Sequence, residues 1–253
     1  MIQAETATSF SALHVSGKPL VLYNIWDAGS AKAVAVSGAK AVATGSWSMA
    51  ASQGYPDGEA IPLDTVEMIV RQIARSVDVP VTVDLEGAYA KEPEQAAANV
   101  ARIIRAGAVG INFEDGIIGG DGLHDTAVQC RRIQAIRVGA EALGVALFIN
   151  ARTDLFLQAA DAAAHTTLLN AATERAHAYA DAGASGYFAP GLVDEDLIGA
   201  LCAASSQPVN VMMKAGAPSI TRCAKLGVSR ISYGPMPYVQ SMQQLGQEAS
   251  RTV

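Results

Sequence analysis

The chain of 253 residues has only three cysteines, Cys130, Cys202 and Cys223, far apart, with no CxxC pair and no histidine at zinc-ligand spacing. So odd and sparse a set argues against a disulfide framework and a zinc site, and it fits a reducing compartment. Aromatic residues are scarce at 6%, and charged ones make up only 17%. The 18 basic side chains, outnumbered by 24 acidic ones, form no phosphate-tracking stripe, so no nucleic-acid partner is expected. No apolar run approaches the ~20 residues that span a bilayer. The opening Met1-Ile2-Gln3-Ala4-Glu5-Thr6 lacks both the basic and the apolar region of a secretory signal. The expectation is a cytoplasmic protein without a membrane partner.

What the chain does have is apolar bulk. Half of it is hydrophobic (50%), the opposite of a disordered composition. A chain of this length supplies a large core, and no linker or composition shift divides it, so one domain over residues 1–253 is expected. Short β-branched runs alternate with Ala-rich helical stretches. The runs are Pro19–Ile25, Ala41–Thr44, Val79–Leu85, Val109–Phe113, Ala146–Ala151, Ser185–Phe188, Pro208–Met212 and Arg230–Tyr233. The helices that follow them are Ser30–Val36, Leu63–Arg75, Glu94–Arg105, Thr126–Leu143, Ala160–Ala182, Glu195–Ala204, Ser219–Leu226 and Val239–Ser250. Glycine in Ala106-Gly107-Ala108 and Ala182-Gly183-Ala184 closes a helix just before a strand. Eight such units predict a single-domain α/β (β/α)8 TIM barrel; a doubly wound sheet is second, weakened by the lack of Gly-x-Gly-x-x-Gly after any strand.

A barrel places its active site at the C-terminal ends of its strands, and these ends are acidic. The third reads Val83-Asp84-Leu85-Glu86-Gly87, the fourth Ile111-Asn112-Phe113-Glu114-Asp115 and the fifth Asn150-Ala151-Arg152-Thr153-Asp154, while the loop after the second carries Gly54-Tyr55-Pro56-Asp57-Gly58. Asp115 and Asp154, taken singly, read as caps for the helices that follow. If Asp57, Asp84, Glu86 and Glu114 converge, their repulsion demands a cation or raised pKa values. Oxygen ligands alone select Mg²⁺ or Mn²⁺ over zinc. Arg152 suits bidentate capture of a substrate carboxylate.

These motifs, together with Asn24-Ile25-Trp26-Asp27-Ala28-Gly29-Ser30, resemble those of the isocitrate lyase/phosphoenolpyruvate mutase superfamily, in order from about Leu22 to Tyr238. The resemblance implies a (β/α)8 barrel, Mg²⁺ dependence, and substrates that are small 2-oxo acids or their hydroxy-acid adducts. It also implies a homodimer or homotetramer with exchange of the C-terminal helix, although here the chain stops soon after Tyr238, which shortens or removes that exchange. Matched by position, Thr44, Gly45 and Ser46 hold a substrate carboxylate. Asp84, Glu86 and Glu114 surround the metal, Asp57 is a catalytic acid, Arg152 is the substrate arginine, and Asn210 is a further substrate contact. The family's Asp-x-Asp is Asp84-Leu85-Glu86 here.

The loop after the fourth strand is the departure. Isocitrate and methylisocitrate lyases carry Lys-Lys-Cys-Gly-His there, and phosphonopyruvate enzymes a Lys and an Asn. This chain has Gly116-Ile117-Ile118-Gly119-Gly120-Asp121-Gly122-Leu123-His124-Asp125, without Lys or Cys. Four glycines suit either a mobile lid or a plain flexible connection, and His124 is the loop's one neutral-pH acid/base. His14, His165 and His177 read as structural or surface groups. The expected activity is a Mg²⁺-dependent carbon–carbon lyase acting beside a 2-oxo or 2-hydroxy carboxylate through an enolate, with oxaloacetate decarboxylation its simplest form. Carbon–phosphorus chemistry on phosphonopyruvate and non-catalytic binding of a 2-oxo acid are the alternatives.

Overall fold

The computed structural model describes residues 2–252. Its eight strands are all parallel: β1 (Leu20–Leu22), β2 (Val42–Ala43), β3 (Val81–Asp84), β4 (Gly110–Glu114), β5 (Phe148–Arg152), β6 (Gly186–Phe188), β7 (Val209–Met212) and β8 (Arg230–Ser232). Their ladder runs in chain order from β2 to β8 and returns to β1. Between β1 and β2 the barrel is closed by one bridge, in which Ile25 N–H donates to Ala43 O (2.8 Å) and Gly45 N–H to Ile25 O (3.1 Å). The fold is the expected (β/α)8 barrel.

Helices cover the outside because each presents one apolar face. In α4 (Leu63–Ala74) the buried positions are Val66, Ile69, Val70 and Ile73; in α5 (Pro93–Arg105) they include Ala96, Val100, Ile103 and Ile104. Spacings of three and four keep these on one side of a 3.6-residue helix. The other outer helices are α2 (Ala28–Val36), α6 (Thr126–Ala142), α7 (His165–Asp181), α8 (Glu195–Ala204), α9 (Ile220–Lys225) and α10 (Met236–Ser250).

Four features differ from the sequence reading. Helix α1 (Gln3–Ala12) precedes the first strand, and α3 (Ser46–Ser52) follows the second. The stretch 160–182 breaks into a 3-10 turn, Ala162–Ala164, capped by Asp161, before α7 begins at His165. Helix α10 starts at Met236, just after Pro235. The short α3 has no long apolar period to betray it, and the Asp161 side chain offers Ala164 N–H a partner that favours the tight turn.

Helix α1 closes the N-terminal end of the barrel. Gln3 Nε2 donates to Ile104 O (2.6 Å) and Ala108 O (2.9 Å). Phe10 packs edge-on against Phe148, and the His14 ring stacks on Phe148 with centroids 3.9 Å apart. A Cβ at Gly110 would come within 2.8 Å of the Phe10 ring, so glycine is required at the start of β4. Burial, and then the charge of Arg230, bring the His14 pKa down to about 3. His14 is therefore neutral when folded and charged when unfolded at mild acidity. Its contribution to stability is complete above the unfolded pKa near 6.5 and is lost as pH falls toward 3, at about 1.4 kcal/mol per pH unit. Between pH 7 and 4.5 the wild type should lose about 2.5 kcal/mol more unfolding free energy than His14→Phe, as read by urea denaturation. Equal losses would contradict this.

Candidate active site

The strand ends bring a charged group to the mouth of the barrel. Asp84 ends β3, Glu114 ends β4 and Arg152 ends β5. Residues two apart share a face of a strand, so Asn112 and Glu114 point inward together, as do Asn150 and Arg152. Arg152 is the hub. Its Nε donates to Asp154 Oδ1 (2.6 Å), Nη2 to Asp154 Oδ2 (3.1 Å), and Nη1 lies 2.8 Å from Glu114 Oε2. Burial opposes the charge on Arg152, but Glu114 and Asp154 outweigh it and hold the pKa above the ordinary arginine value. Burial raises the Glu114 carboxyl well above the usual range, against the pull of Arg152.

Asp84 is oriented from three sides. Ser46 N–H (3.2 Å) and Oγ (3.0 Å) donate to Oδ2, and Asn112 Nδ2 donates to Oδ1 (3.3 Å). Thr44 Oγ1 accepts the Asp84 N–H at 3.0 Å. Below lies Arg230, fully buried in the barrel, where branched aliphatic residues usually dominate. Its Nη2 donates to Asn112 Oδ1 (3.0 Å), which also accepts from Asn150 Nδ2 (2.9 Å). Burial pulls the Arg230 pKa down to about 9, and the charge of Asp84 works the other way.

The loops after β2 and β3 are locked to each other. Glu86 Oε1 accepts from the N–H groups of Gly58 (3.0 Å) and Glu59 (3.1 Å), while Glu59 Oε1 accepts from Tyr89 N–H (2.6 Å). Glu59, Glu86, Ala88 and Tyr89 all have positive φ, from 52° to 60°. Left-handed conformations cost non-glycine residues ~1 kcal/mol or more each and persist only where neighbours over-determine them. Arg132 supplies part of that restraint, with Nη2 donating to Gly87 O (2.7 Å) and Ala90 O (2.8 Å). Burial, then Asp84 and Asp57, push the Glu86 pKa up to about 8.

A cavity of about 170 Å³ opens at this mouth, lined by Asp57, Asp84, Arg152, Ser46, Asn112 and Asn24 among others. That is near the ~150 Å³ of a cavity that takes up benzene, so it suits a small acid. The four acids expected to converge do so only in part. Asp57 and Asp84 face the cavity; partial burial, then the Asp84 charge, raise the Asp57 pKa. Glu86 is turned by its positive φ to the amides of Gly58 and Glu59, and Glu114 is taken up by Arg152. Gly45 and Ser46 line the cavity, but the Gly45 N–H goes to Ile25 O and the Ser46 N–H to Asp84, while Thr44 is buried behind them. Asn210 does not reach the cavity: it is buried in the barrel, where Nδ2 donates to Ser232 Oγ at 3.2 Å. His124 lines a different cavity, with Tyr89, Glu59, Arg132 and Gly116 of its own loop, and not the one that Asp84 faces.

Asp115 and Asp154 cap no helix. Asp115 Oδ2 accepts from Tyr179 OH (2.8 Å) and Arg175 Nη1 (3.0 Å), and Oδ1 from the Asp154 N–H (2.9 Å), which fixes the residue that grips Arg152. Among the described residues no three His, Cys, Asp or Glu side chains gather as a metal cage. The donor set still fits a hard divalent ion: Mg²⁺ keeps several waters and takes one or two carboxylates, with substrate oxygens completing its shell. Asp57 and Asp84 are such a pair.

A parallel barrel with carboxylates and an arginine around a small cavity at the C-terminal ends of its strands is the architecture of a catalytic site. The sequence model described as phosphoenolpyruvate phosphomutase matches residues 10–253; the chain belongs to this family, within the isocitrate lyase/phosphoenolpyruvate mutase superfamily. A provisionally named phosphonomutase of Burkholderia cenocepacia J2315 superposes with a TM-score of 0.96 at 47% identity, over 99% of this chain and 100% of that one. An uncharacterized protein of Mycobacterium tuberculosis (strain ATCC 25618 / H37Rv) is 34% identical over 230 residues, 91% of this chain and 83% of its own. A provisionally named 2-methylisocitrate lyase of Corynebacterium glutamicum is 36% identical over 184 residues, 70% of this chain and 54% of its own. A phosphonopyruvate hydrolase in complex with oxalate and Mg²⁺ shares the fold at 19% identity, with a TM-score of 0.85 over 97% of this chain and 86% of that one.

Truncating one partner of a buried ion pair leaves the other uncompensated, at about 3–5 kcal/mol. Arg152→Met should cost about that much in urea unfolding, and adding Glu114→Gln should recover part of the loss. No recovery in the double variant would show that Glu114 is not held by this charge.

Proposed function

We propose that the chain is a carbon–carbon lyase that cleaves the bond beside a 2-oxo or 2-hydroxy carboxylate and leaves an enolate. The observation that carries this reading is the pairing, in one cavity, of Asp84 and Asp57 with an arginine that still has free donors. Two of the five N–H groups of Arg152 donate to Asp154, and Nη1 faces Glu114 Oε2 as an ion pair without hydrogen-bond geometry, so both terminal nitrogens keep an N–H to fork a carboxylate. Mg²⁺ or Mn²⁺, held by Asp84 and Asp57, would supply Lewis-acid polarisation of the 2-oxo group and stabilise the charge that develops. Asp154 and Asp115 fix Arg152 before substrate arrives, so little reorganisation is needed during the reaction. Trp47 and Pro235 help to exclude water from the same space.

Among the described residues no Lys, Cys or His lines the cavity, so a thiol-driven isocitrate-type cleavage has no group there to carry it. Phosphonopyruvate chemistry is disfavoured too, because besides the divalent ion a doubly charged phosphonate would meet, among the described residues, a single cationic side chain already shared by two carboxylates. Mere anion binding leaves the cavity carboxylates unexplained, since they repel the ligand. The relatives named as a 2-methylisocitrate lyase and as oxaloacetate decarboxylases support lyase chemistry in this family.

Product analysis by NMR with four- to seven-carbon 2-oxo and 2-hydroxy acids, oxaloacetate included, tests the reading. At least one acid should yield a 2-oxo acid product only when Mg²⁺ is present, and Asp84→Ala should reduce turnover by at least 10³-fold. Unchanged turnover in that variant, or product from a phosphono acid alone, would contradict it.

We also propose a homodimer or homotetramer built through α10, in a reaction medium with no nucleic-acid or membrane partner. From Gln240 to Thr252 every residue is exposed, Leu245 at 62%, and no described helix is long and apolar enough to cross a membrane. Sedimentation should show an oligomer that Leu245→Glu weakens; a wild-type monomer at micromolar concentration would rule it out.

A further inference from the structure

The cavity is divided by strand order. From β1 round to β5 most residues facing it are polar, among them Asn24, Ser46, Asp84, Asn112 and Arg152, with Trp47 the apolar exception. Beyond β5 the character changes. Phe188 ends β6, Met212 ends β7, and Pro190 and Leu157 come from the loops between. The β6 and β7 side of the wall offers an anion no side-chain donor, and the Ser232 hydroxyl at the end of β8 is engaged with Asn210. Proline has no N–H, and three neighbouring backbone donors are spent: Leu157 N–H on Asp154 O, Ala189 N–H on Asn210 O and Met213 N–H on Ser232 O. Met212 fills its side of the wall, since a Cβ at Gly234 would lie 2.6 Å from its sulfur.

Charge agrees with shape. Among the described residues Arg152 is the one cationic side chain lining the cavity, on the polar side, and two carboxylates already hold it. A second anionic group on the ligand, lying across the cavity from Arg152, would leave water for a wall without a free side-chain donor, where an unpaired charge is strongly disfavoured. An alkyl group there removes apolar surface from water instead.

We infer that the substrate carries one carboxylate, beside its 2-oxo group, and an uncharged 4-hydroxyalkyl remainder whose alkyl chain is seated against Leu157, Phe188, Pro190 and Met212. Breaking C3–C4 leaves the electron pair on the 2-oxo acid as its enolate, the 4-hydroxyl proton ends on C3 and the chain departs as an aldehyde. This deepens the lyase reading and rests on it. It separates this chain from enzymes whose substrates are anionic at both ends, and it makes Leu157 and Met212 residues that set specificity.

Calorimetry with Mg²⁺ present reads the preference without turnover. The probes are 2-oxoglutarate and 5-methyl-2-oxohexanoate, which replaces the far carboxylate by an isopropyl group of the same shape, with oxalate as a reference for the polar half. Wild type should bind the alkyl acid at least tenfold more tightly than 2-oxoglutarate. Leu157→Arg, at a position 40% exposed and so tolerant of charge, should lower that ratio at least tenfold. Met212→Lys is the second variant, with the same expected direction. Tighter or equal binding of 2-oxoglutarate to wild type overturns the inference, as does binding of oxalate with neither longer acid. Failure of oxalate itself to bind overturns the lyase reading beneath it.

Discussion

An excess of carboxylates over cations in a space mostly closed to water governs this molecule. Around the mouth of the barrel Asp84 acts on Asp57, Glu86 and Glu114, and Asp154 on Asp57 and Glu114, against Arg152 at the centre and Arg230 beneath. Like charges in a poorly solvated region must be neutralised by protons, by fixed cations or by a bound ion. The protein uses the first two for the outer members. Glu86 and Glu114 are pushed toward their protonated forms, mainly by burial, and Glu114 and Asp154 share Arg152. Asp84 and Asp57 are what remains facing the cavity, and a divalent ion answers that residual charge best.

The rest of the fold keeps this arrangement from relaxing. Asparagines and one arginine, not aliphatic residues alone, fill the barrel under Asp84, and they transmit its position through Asn112 to Arg230. Four left-handed non-glycine residues sit in the two adjoining loops, held by reciprocal carboxylate-to-amide bonds and by Arg132. Strain concentrated there, and not spread over the surface, is the pattern expected where side-chain direction matters.

Much of this is legible in the sequence. Alternation of β-branched runs with Ala-rich stretches gives all eight strands, because each helix must bury one face on the barrel. The acids at the ends of the third to fifth strands mark the site because a parallel barrel leaves those ends open. The sequence does not show where each carboxylate spends its charge. The positive φ of Glu86 turns its side chain to the amides of Gly58 and Glu59, and no local pattern announces that rotation. Asp154 resembles an ordinary cap until its distance to Arg152 is known. Arg230 was readable in principle, since it stands two positions before Ser232 on a strand and must face the same way, into the barrel. Helix α3 is too short to show a period, and Asn210 satisfies the motif yet ends one layer below the cavity.

The central claim is that Asp84 carries a divalent ion at the cavity while Glu86 serves the loop behind it. Electron paramagnetic resonance of Mn²⁺ titrated into the apo-protein measures this without any substrate. Wild type should bind one Mn²⁺ per chain, Asp84→Asn should weaken that binding at least tenfold, and Glu86→Gln should change it far less. Equal affinity in wild type and Asp84→Asn would contradict the claim, and so would a loss centred on Glu86→Gln.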